Sequence, residues 1–408
     1  MSIRLMHVDL DAFFVEVCRG HDPALRDVDL LVVGGRKESR GVVQSASYGA
    51  RKFGVGAGMP IAQAVRLCPD ATFVRGDFLR YREASRAVRE VLLRHSPHVV
   101  MTGLDEGYLD FSGTDLLFPV SLLDAAAQVR GDVKSATGLD CSIGIGRNRM
   151  IAKLATDFAK PRGICEVRQG WERGFLAGLP LAALPGVGPH TAARLAERGL
   201  HDVPQVQALS HADLARLVGD DEATQLERRA AGHGGTVLRE QSLPKSISRE
   251  TTFSRDVSDS GELDRVLLLL TARVGNQLRE EGLAAGGVTL KLRHADFVTV
   301  TRSRAFATPT SMDAELIGAA RPLLRDAWGG AKARGQAVRL IGIAATRLGQ
   351  SEAPDLFESA TSGKQREVSE AVDAVRARYG FDALGSGGLV RKRPLDHRDR
   401  RQEPDPDH

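Results

Sequence analysis

The N-terminal segment alternates apolar and polar side chains, which is the pattern of a strand that is buried on one face. The alternation sets three apolar residues against three polar ones: Met6, Val8 and Leu10 against His7, Asp9 and Asp11. We therefore predict a first strand over residues 1–11 that carries carboxylates towards its C-terminal end.

Shorter apolar runs and helical spacing predict the remaining elements. Before residue 166, we predict strands at 30–33, 42–45 and 140–145 and helices around 19–22, 61–67 and 81–94. After residue 232, we predict strands at 288–292, 297–302 and 338–344 and helices at 261–281, 314–327 and 365–379. This mixture of strands and helices favours an antiparallel sheet backed by helices.

Length and composition limit the classes to which this protein can belong. A chain of 408 residues favours two to four domains. The net charge of +4 and the pI near 8.9 are mildly basic and suit a nucleic-acid partner. The four cysteines lack metal or disulfide spacing, which indicates a reducing compartment. The N-terminus is predicted to be an acidic strand and not a signal peptide, and no apolar run is long enough for a membrane helix. We therefore expect a cytoplasmic protein without membrane contact. We also expect a monomer.

Two acidic blocks, far apart in sequence, each adjoin an apolar run. The first holds Asp9 and Asp11, and the second holds Asp105 and Glu106 after a run that begins at Val99. Their carboxylates can meet only if the two strands lie side by side. Gathered carboxylate oxygens suit hard cations such as Mg²⁺, and two such ions can support phosphoryl transfer. For either block taken alone, ordinary strand-end charges are the alternative.

Four longer motifs resemble those of the Y-family DNA polymerases, and most closely the DinB, or polymerase IV, branch. They are HVDLDAFF at 7–14, ASYGARKFGVGAGMP at 46–60, LDEGYLDF at 104–111 and SIGIGRNRMIAKLATDFAKPRGI at 142–164. The similarity is collinear over roughly residues 1–350. One departure is visible at 103–108, where the family's Ser-Ile-Asp-Glu-Ala-Tyr is Gly-Leu-Asp-Glu-Gly-Tyr. Both carboxylates are kept, and the added glycine is expected to loosen the strand slightly.

The resemblance implies a multidomain α/β and α+β fold, arranged as a right-hand polymerase. Its palm would take residues 1–11 and 78–165, its small fingers 12–77, and its helical thumb, with a helix-hairpin-helix, 166–232. A linker at 233–248 would lead to a DNA-binding α+β little finger at 249–348 and a partly disordered tail at 349–408. Within the tail, Ala-Pro-Asp-Leu-Phe at 353–357 resembles a peptide that binds the sliding clamp, although the usual Gln is missing. A linker with a chance Leu-Phe is the alternative.

The resemblance also implies the catalytic residues. Asp9, Asp105 and Glu106 match the three catalytic carboxylates of the family. Asp9 and Asp105 would bridge two Mg²⁺ ions, and Leu10 would add its backbone carbonyl as a ligand. Glu106 would hold the ion nearest the primer 3′ hydroxyl and help to lower the pKa of that hydroxyl.

Four further residues match those that contact the incoming nucleotide. Phe14 matches the steric gate, whose ring clashes with a ribose 2′ hydroxyl and so admits deoxynucleotides. A core phenylalanine is the alternative, although the adjacent Phe13 suits that role better. Tyr48, Arg51 and Lys160 match residues that hold the triphosphate, and ordinary surface side chains are the alternative for each.

Two regions are predicted to contact the DNA backbone. The sequence LPGVGPHTAARL at 184–195 resembles a helix-hairpin-helix loop, in which the N–H groups of Gly186, Val187 and Gly188 bind a phosphate. A plain turn between helices is the alternative. In the C-terminal module, basic residues among apolar ones predict one apolar and one basic sheet face, with a solvated face as the alternative. The DNA contacts expected there are Lys245, Arg249, Arg302 and Arg304.

These features predict a template-directed, low-fidelity DNA polymerase that adds dNTPs to a primer 3′ end in translesion synthesis. No motif suggests a 3′–5′ exonuclease, so we expect no proofreading. A non-catalytic DNA-repair adaptor on the same fold is one alternative, but inactive relatives lose the acidic triad that this chain keeps. A nucleotidyl cyclase with a palm-like metal site is another, and it would need neither the thumb loop nor the basic C-terminal module.

Overall fold

A computed structural model describes residues 4–114, 121–238, 243–333, 335–350 and 360–384. The chain divides into two compact units, residues 1–240 and 241–408. The division falls inside the segment 233–248 that the sequence predicts to be a linker. None of the helices in these described ranges is long and apolar enough to cross a membrane.

The N-terminal unit combines short strands with helices. Its strands are β1 (Leu5–Leu10), β2 (Leu31–Val33), β3 (Ser45–Ala46), β4 (Thr72–Val74), β5 (Val99–Met101), β6 (Glu106–Asp110), β7 (Cys141–Gly146) and β8 (Ile164–Glu166). Its helices are α1 (Phe13–His21), α2 (Tyr48–Arg51), α3 (Ile61–Leu67), α4 (Phe78–His95), α5 (Leu122–Thr137), α6 (Arg149–Ala159), α7 (Glu172–Ala177), α8 (Pro189–Ala196), α9 (Val203–Ala208), α10 (His211–Val218) and α11 (Asp220–Ala230).

The main sheet of this unit has the strand order β5-β6-β1-β7-β8. All of its pairings are antiparallel except that of β7 with β8, which is parallel. The predicted antiparallel sheet backed by helices is thus confirmed for four of the five strands. β1 is the central strand, so whatever it carries lies in the middle of the sheet.

The prediction that β1 is buried on only one face is wrong. All six residues of the strand are buried. Met6 and Val8 pack into the core formed with α4 and α5, whereas α6 covers the opposite face. Gly144 on β7 permits this cover, because a Cβ there would lie 2.1 Å from the Ala152 carbonyl oxygen of α6. The polar face of β1 therefore faces a helix, not solvent.

Two predicted elements near the N-terminus have different bounds in the structure. The helix expected around residues 19–22 is α1, which already begins at Phe13, because Ala12 turns the chain directly after β1 with a left-handed φ of 47°. The strand expected at 42–45 is the short β3, and Val42 instead forms an isolated bridge with Pro60. β2, β3 and β4 form a separate three-stranded sheet.

His211, at the start of α10, lies between two carboxylates of α11. Its ring nitrogens lie 2.9 Å from Glu227 Oε2 and 3.0 Å from Asp220 Oδ1. These contacts, that of Asp220 first, raise the pKa of His211 above its ordinary value. A histidine whose pKa is higher in the folded than in the unfolded state stabilises the fold. This stabilisation is complete below about pH 6.5, the ordinary pKa of histidine, and is lost as the pH rises through the raised pKa of the folded state.

We therefore expect His211→Gln to lower the melting temperature near pH 6 and to leave it unchanged near pH 9, about two units or more above the ordinary histidine pKa. Thermal unfolding followed by circular dichroism at both pH values measures the difference. An equal loss at both pH values would show that the side chain acts through packing and not through its charge.

The C-terminal unit is an α+β module with long strands. It comprises β9 (Ser246–Val257), α12 (Ser260–Glu280), β10 (Leu283–His294), β11 (Thr299–Thr310), α13 (Asp313–Ala333), β12 (Val338–Gln350) and α14 (Ala360–Tyr379). The strand order is β11-β10-β12-β9, and every pairing is antiparallel. Apolar residues of the sheet and of α12 and α13 form one core.

The helices of this unit confirm the sequence prediction, and one strand corrects it. α12, α13 and α14 lie where helices were expected, with α13 and α14 longer than predicted. The strand expected at 297–302 instead begins at Thr299 and runs to Thr310, because Phe297 occupies a turn with a φ of 66°. The tail helix α14 packs on α12 through Arg279, whose Nε donates to Asp373 Oδ2 at 2.6 Å.

Candidate active site

The two acidic blocks meet at one end of the central sheet. β1 and β6 pair in antiparallel register, with Asp9 directly opposite Glu106. The pairing continues beyond the strand, since the backbone N–H of Leu10 donates to the Asp105 carbonyl oxygen at 2.8 Å. The expectation that the two strands lie side by side is confirmed. Three carboxylates are thus gathered where β1 ends and β6 begins.

Burial makes these carboxylates electrostatically unequal. Asp9 is 9% exposed, and burial raises its pKa to about 6. Burial also raises the pKa of Asp105, with the neighbouring Glu106 charge adding to the effect. Contact with His7, followed by pairing with Lys153, lowers the pKa of Glu106 to about 2. Carboxylates whose charge is costly to bury attract cations.

Two lysines of the α6 region supply positive charge at the cluster. Lys153 Nζ pairs with Glu106 Oε2. Lys160, the residue that caps α6, places its Nζ 2.8 Å from Asp9 Oδ2 and 3.0 Å from Asp157 Oδ1. Lys160 was predicted as a triphosphate contact, whereas no role was predicted for Lys153.

His7 and Thr156 fix α6 against β1. Thr156 Oγ1 lies 2.9 Å from His7 Nδ1 and 3.0 Å from the His7 carbonyl oxygen. The other ring nitrogen of the fully buried His7, Nε2, lies 3.5 Å from Glu106 Oε2, which is an electrostatic contact longer than a well-formed hydrogen bond. Burial lowers the pKa of His7, which favours the neutral imidazole.

The donor set fits a hard divalent cation. Asp9, Asp105 and Glu106 offer only oxygen atoms, and the raised pKa of Asp9 marks a carboxylate that is incompletely neutralised. Within the described parts of the chain, no three carboxylate, imidazole or thiol groups are arranged as ligands of one ion. In the structure, lysine side chains contact two of the three carboxylates, Glu106 and Asp9.

The two adjacent phenylalanines after β1 have different surroundings. Phe13 is 1% exposed and belongs to the core, whereas Phe14 is half-buried at its edge. The Phe14 ring packs edge-on against Tyr81 at a centroid distance of 4.7 Å and against Phe13 at 5.2 Å. Ala12 has a strained left-handed conformation and turns the chain between β1 and α1. This turn sets the direction of the Phe13 and Phe14 rings at the start of α1.

Tyr48 and Arg51 lie on the short helix α2 and contact each other. The Arg51 guanidinium carbon lies 4.8 Å from the centre of the Tyr48 ring, and Arg51 Nε donates to the Ala46 carbonyl at 2.9 Å. The Tyr48 hydroxyl donates to Asp11 Oδ1 at 2.8 Å. Burial, then this hydrogen bond, raises the pKa of Tyr48 to about 12, so the hydroxyl remains a donor at neutral pH.

Asp11 acts as a structural acceptor. Besides the Tyr48 hydroxyl, it accepts hydrogen bonds from Ser142 Oγ at 3.0 Å and from the backbone N–H of Arg162 at 2.9 Å. These contacts join β1, β7 and the segment after α6. Their number indicates that this carboxylate serves to hold these elements together.

Gly107 on β6 lies close to β5. A Cβ at this position would lie 2.8 Å from Met101 Sδ and 3.1 Å from the Val100 carbonyl oxygen. β5 therefore leaves no room for a side chain here, and the expected loosening of the strand stays a prediction. The glycine fits the space that its neighbours leave.

The predicted thumb loop precedes α8. Gly186 has a φ of 85°, and Gly188 is the N-cap of α8 with Pro189 as the first helical residue. A Cβ at Gly186 would lie 2.7 Å from the guanidinium of Arg229 on α11, so a cation flanks the loop. Between the two glycines, Val187 is buried in the local core.

The predicted DNA contacts of the C-terminal unit are exposed, and by register its three arginines, Arg249, Arg302 and Arg304, lie on the helix-covered side of the sheet, on its two edge strands. Lys245, Arg249, Arg302 and Arg304 are all exposed. By register, Arg302 lies opposite the core residue Leu290, which puts it at the edge of the helix-covered face. The open face of the central strand β10 carries Lys291 and Arg293 instead. The pattern predicted a single basic face. The basic residues are instead divided between the open face and the edge strands of the helix-covered face.

Sequence reasoning named Lys160 but missed Lys153 and Thr156, which lie beside the cluster on the same helix face. Lys153, Thr156 and Lys160 stand three, four and seven residues apart, which puts them on one face of a helix. This spacing beside a strand with two carboxylates was a usable signal. Tyr81 behind Phe14 carried no such signal, because nothing local distinguishes it from any other core aromatic residue.

Comparisons with known proteins match nearly the whole chain. The model of the impB/mucB/samB family matches residues 8–157, and that of its C-terminal domain matches residues 244–356. The DNA polymerase IV of Dehalococcoides mccartyi (strain CBDB1) is 37% identical over 396 residues, which cover 97% of this chain and all of that protein. The chain belongs to the Y-family DNA polymerases, in the polymerase IV branch. The DNA polymerase IV of Caulobacter vibrioides is 36% identical, covering 96% of this chain and 95% of its own length.

The solved structures of this family agree in fold. A Y-family DNA polymerase chimera built on Dbh aligns with a TM-score of 0.73 at 24% identity, covering 84% of this chain and 98% of that chain. The predicted family, the right-hand polymerase fold and the DNA-directed DNA polymerase activity in translesion synthesis are confirmed. The non-catalytic adaptor finds no support.

Proposed function

We propose that the carboxylate cluster between β1 and β6 is the centre at which this polymerase extends a primer with dNTPs. The observation that carries the proposal is the register that sets Asp9 opposite Glu106 at the end of the central strand. Asp9 and Asp105 would bridge two Mg²⁺ ions, the Leu10 carbonyl would add a ligand, and Glu106 would lie nearest the primer hydroxyl. When bound, the ions supply charge stabilisation for the attacking and leaving oxygens.

Three side chains around the cluster suit the triphosphate of the incoming dNTP. Arg51 is anchored through Nε, and the terminal fork of its guanidinium matches phosphate oxygens. The Tyr48 hydroxyl, which donates its single O–H to Asp11 in the structure, would turn it to a phosphate oxygen when the nucleotide binds. Lys160 brings an ammonium group to Asp9, where a phosphate that binds the ions would also lie. Phe14 would lie under the sugar and exclude the ribose 2′ hydroxyl.

Primed template DNA is the proposed second substrate. Gly186, Val187 and Gly188 would bind a backbone phosphate at the start of α8, supported by the Arg229 cation beside Gly186. The exposed Lys245, Arg249, Arg302 and Arg304 would contact further phosphates, as would Lys291 and Arg293 on the open sheet face. Such contacts hold the duplex without reading its sequence.

Three predictions concern the whole protein and lie outside this geometry. The sliding-clamp peptide at 353–357 falls outside the described residues, and clamp binding stays a prediction. A cytoplasmic location and a monomeric state also stay predictions.

Arg51→Ala tests the proposed triphosphate site. We expect the KM for dNTP in primer extension to rise by about 10- to 100-fold, because a charge-assisted contact to phosphate is lost, while affinity for primed DNA is unchanged. Steady-state extension with varied dNTP in Mg²⁺ measures the change. Arg66→Ala, which removes an exposed arginine of α3, is the matched control. A KM equal to that of the wild type would contradict the assignment, and a wild type unable to extend the primer would contradict the proposed function.

A further inference from the structure

α6 presents a line of polar side chains to the acidic cluster. Lys153 and Thr156 lie on the helix, and Lys160 caps it. Thr156 anchors the helix to the backbone of His7 at 3.0 Å, so the two lysines are held at fixed positions along β1 and β6. Each lysine pairs with a different carboxylate, Lys153 with Glu106 and Lys160 with Asp9.

The two ion pairs differ in what surrounds them. Lys160 also contacts Asp157 at 3.0 Å, which can retain its ammonium group when Asp9 takes another partner. Lys153 pairs with Glu106 through Oε2, the same oxygen that lies 3.5 Å from His7 Nε2. The side chains of Lys153 and Glu106 are 36% and 25% exposed, so the pair is open enough to separate but too buried for water to screen it fully.

The oxygen that Lys153 contacts is one of the two that Glu106 could offer to a metal ion. A Mg²⁺ ion binds carboxylate oxygen at about 2.0–2.1 Å and would stand directly beside an ammonium group on the same atom. Two cations at that separation repel each other strongly in a half-buried site. Lys153 and a divalent ion would therefore compete for Glu106 Oε2.

We propose that Lys153 is a positioning residue that competes with the divalent ion for Glu106 and must leave this carboxylate when the ion binds. The inference rests on the proposed metal-binding role of Glu106. Until the ion arrives, Lys153 neutralises Glu106 and keeps its side chain directed at the cluster. Because part of the binding energy is used to displace Lys153, the apparent affinity for the ion is lower than the carboxylates alone would give.

Titration of Mn²⁺ into the full-length chain, followed by calorimetry at constant ionic strength, tests this competition. We expect Lys153→Met to bind Mn²⁺ roughly fivefold more tightly than the wild type, in line with the loss of one partly exposed ion pair. Lys134→Met is the matched control, since its ammonium lies 3.0 Å from Asp140, which is not part of the cluster. An affinity of Lys153→Met equal to that of the wild type would overturn the inference.

Chemical labelling separates competition from a general effect of charge. Acetylation of Lys153 by a soluble acylating reagent, read by mass spectrometry, should increase when Mn²⁺ is added, while acetylation of Lys134 should not change. Unchanged labelling of Lys153 would overturn the inference.

Asp105→Ala distinguishes failure of the inference from failure of the proposed function. If Asp105→Ala weakens Mn²⁺ binding but Lys153→Met leaves it unchanged, only the competition is wrong. If Asp105→Ala binds Mn²⁺ as the wild type does, the carboxylates do not hold the ion, and the proposed function and the inference both fail.

Discussion

Asp9→Asn is expected to slow primer extension by at least about a thousandfold at saturating Mg²⁺ and dNTP. Asparagine keeps the size of the side chain but removes a negative charge from the middle of the cluster. It also removes an anionic oxygen that the structure places opposite Glu106. Single-turnover extension of a primed template measures the rate of the chemical step.

The loss should not arise from unfolding. Because burial raises the pKa of Asp9, its ionised form opposes folding above its ordinary pKa, and this cost is present at neutral pH. Removing the charge should therefore leave the melting temperature unchanged or raise it, and Lys160 keeps Asp157 as a partner. Asp132→Asn, which changes an exposed carboxylate of α5, is the matched control and should extend normally. A rate for Asp9→Asn within tenfold of the wild type would contradict the role of Asp9.

Phe14→Ala is expected to raise the efficiency of ribonucleotide incorporation by about 100- to 1,000-fold, with a much smaller change for deoxynucleotides. The Phe14 ring discriminates by occupying space, and its edge-on contacts with Tyr81 and Phe13 hold it rigidly. Alanine removes the ring and leaves the carboxylates in place. The ratio of kcat/KM for a dNTP and the matching rNTP measures the discrimination.

A second phenylalanine variant tests whether the effect is local. Phe158 on α6 is 67% exposed and contacts Phe175, not the aromatic group around Tyr81. Phe158→Ala should therefore discriminate between the sugars as the wild type does. If Phe14→Ala retained full discrimination, the sugar would have to be excluded by another side chain.

The meeting of the acidic blocks could be predicted because it follows from local patterns. β1 and β6 each carry carboxylates at one end, and antiparallel pairing brings the end of one beside the start of the other. The roles of Asp9, Asp105 and Glu106 came from the resemblance, since position alone does not distinguish metal ligands from ordinary strand-end charges.

The remaining features depended on tertiary contacts that no local pattern encodes. Burial of both faces of β1 follows from the close approach of α6 at Gly144. The early start of α1 follows from the left-handed Ala12, and the late start of β11 follows from the turn at Phe297. The pairing of Lys153 with Glu106 joins residues on separate elements, so only the fold brings them together.

Primer extension by the wild type beside Asp105→Ala, with dNTPs and Mg²⁺ on a primed template, tests the central claim most directly. Binding of both proteins to the same DNA is measured alongside as the control for folding. Extension by the wild type and none by Asp105→Ala, at equal DNA affinity, is the predicted result. Failure of both proteins to extend, or equal extension by both, with DNA binding intact, would contradict the assignment of the carboxylates as the catalytic centre.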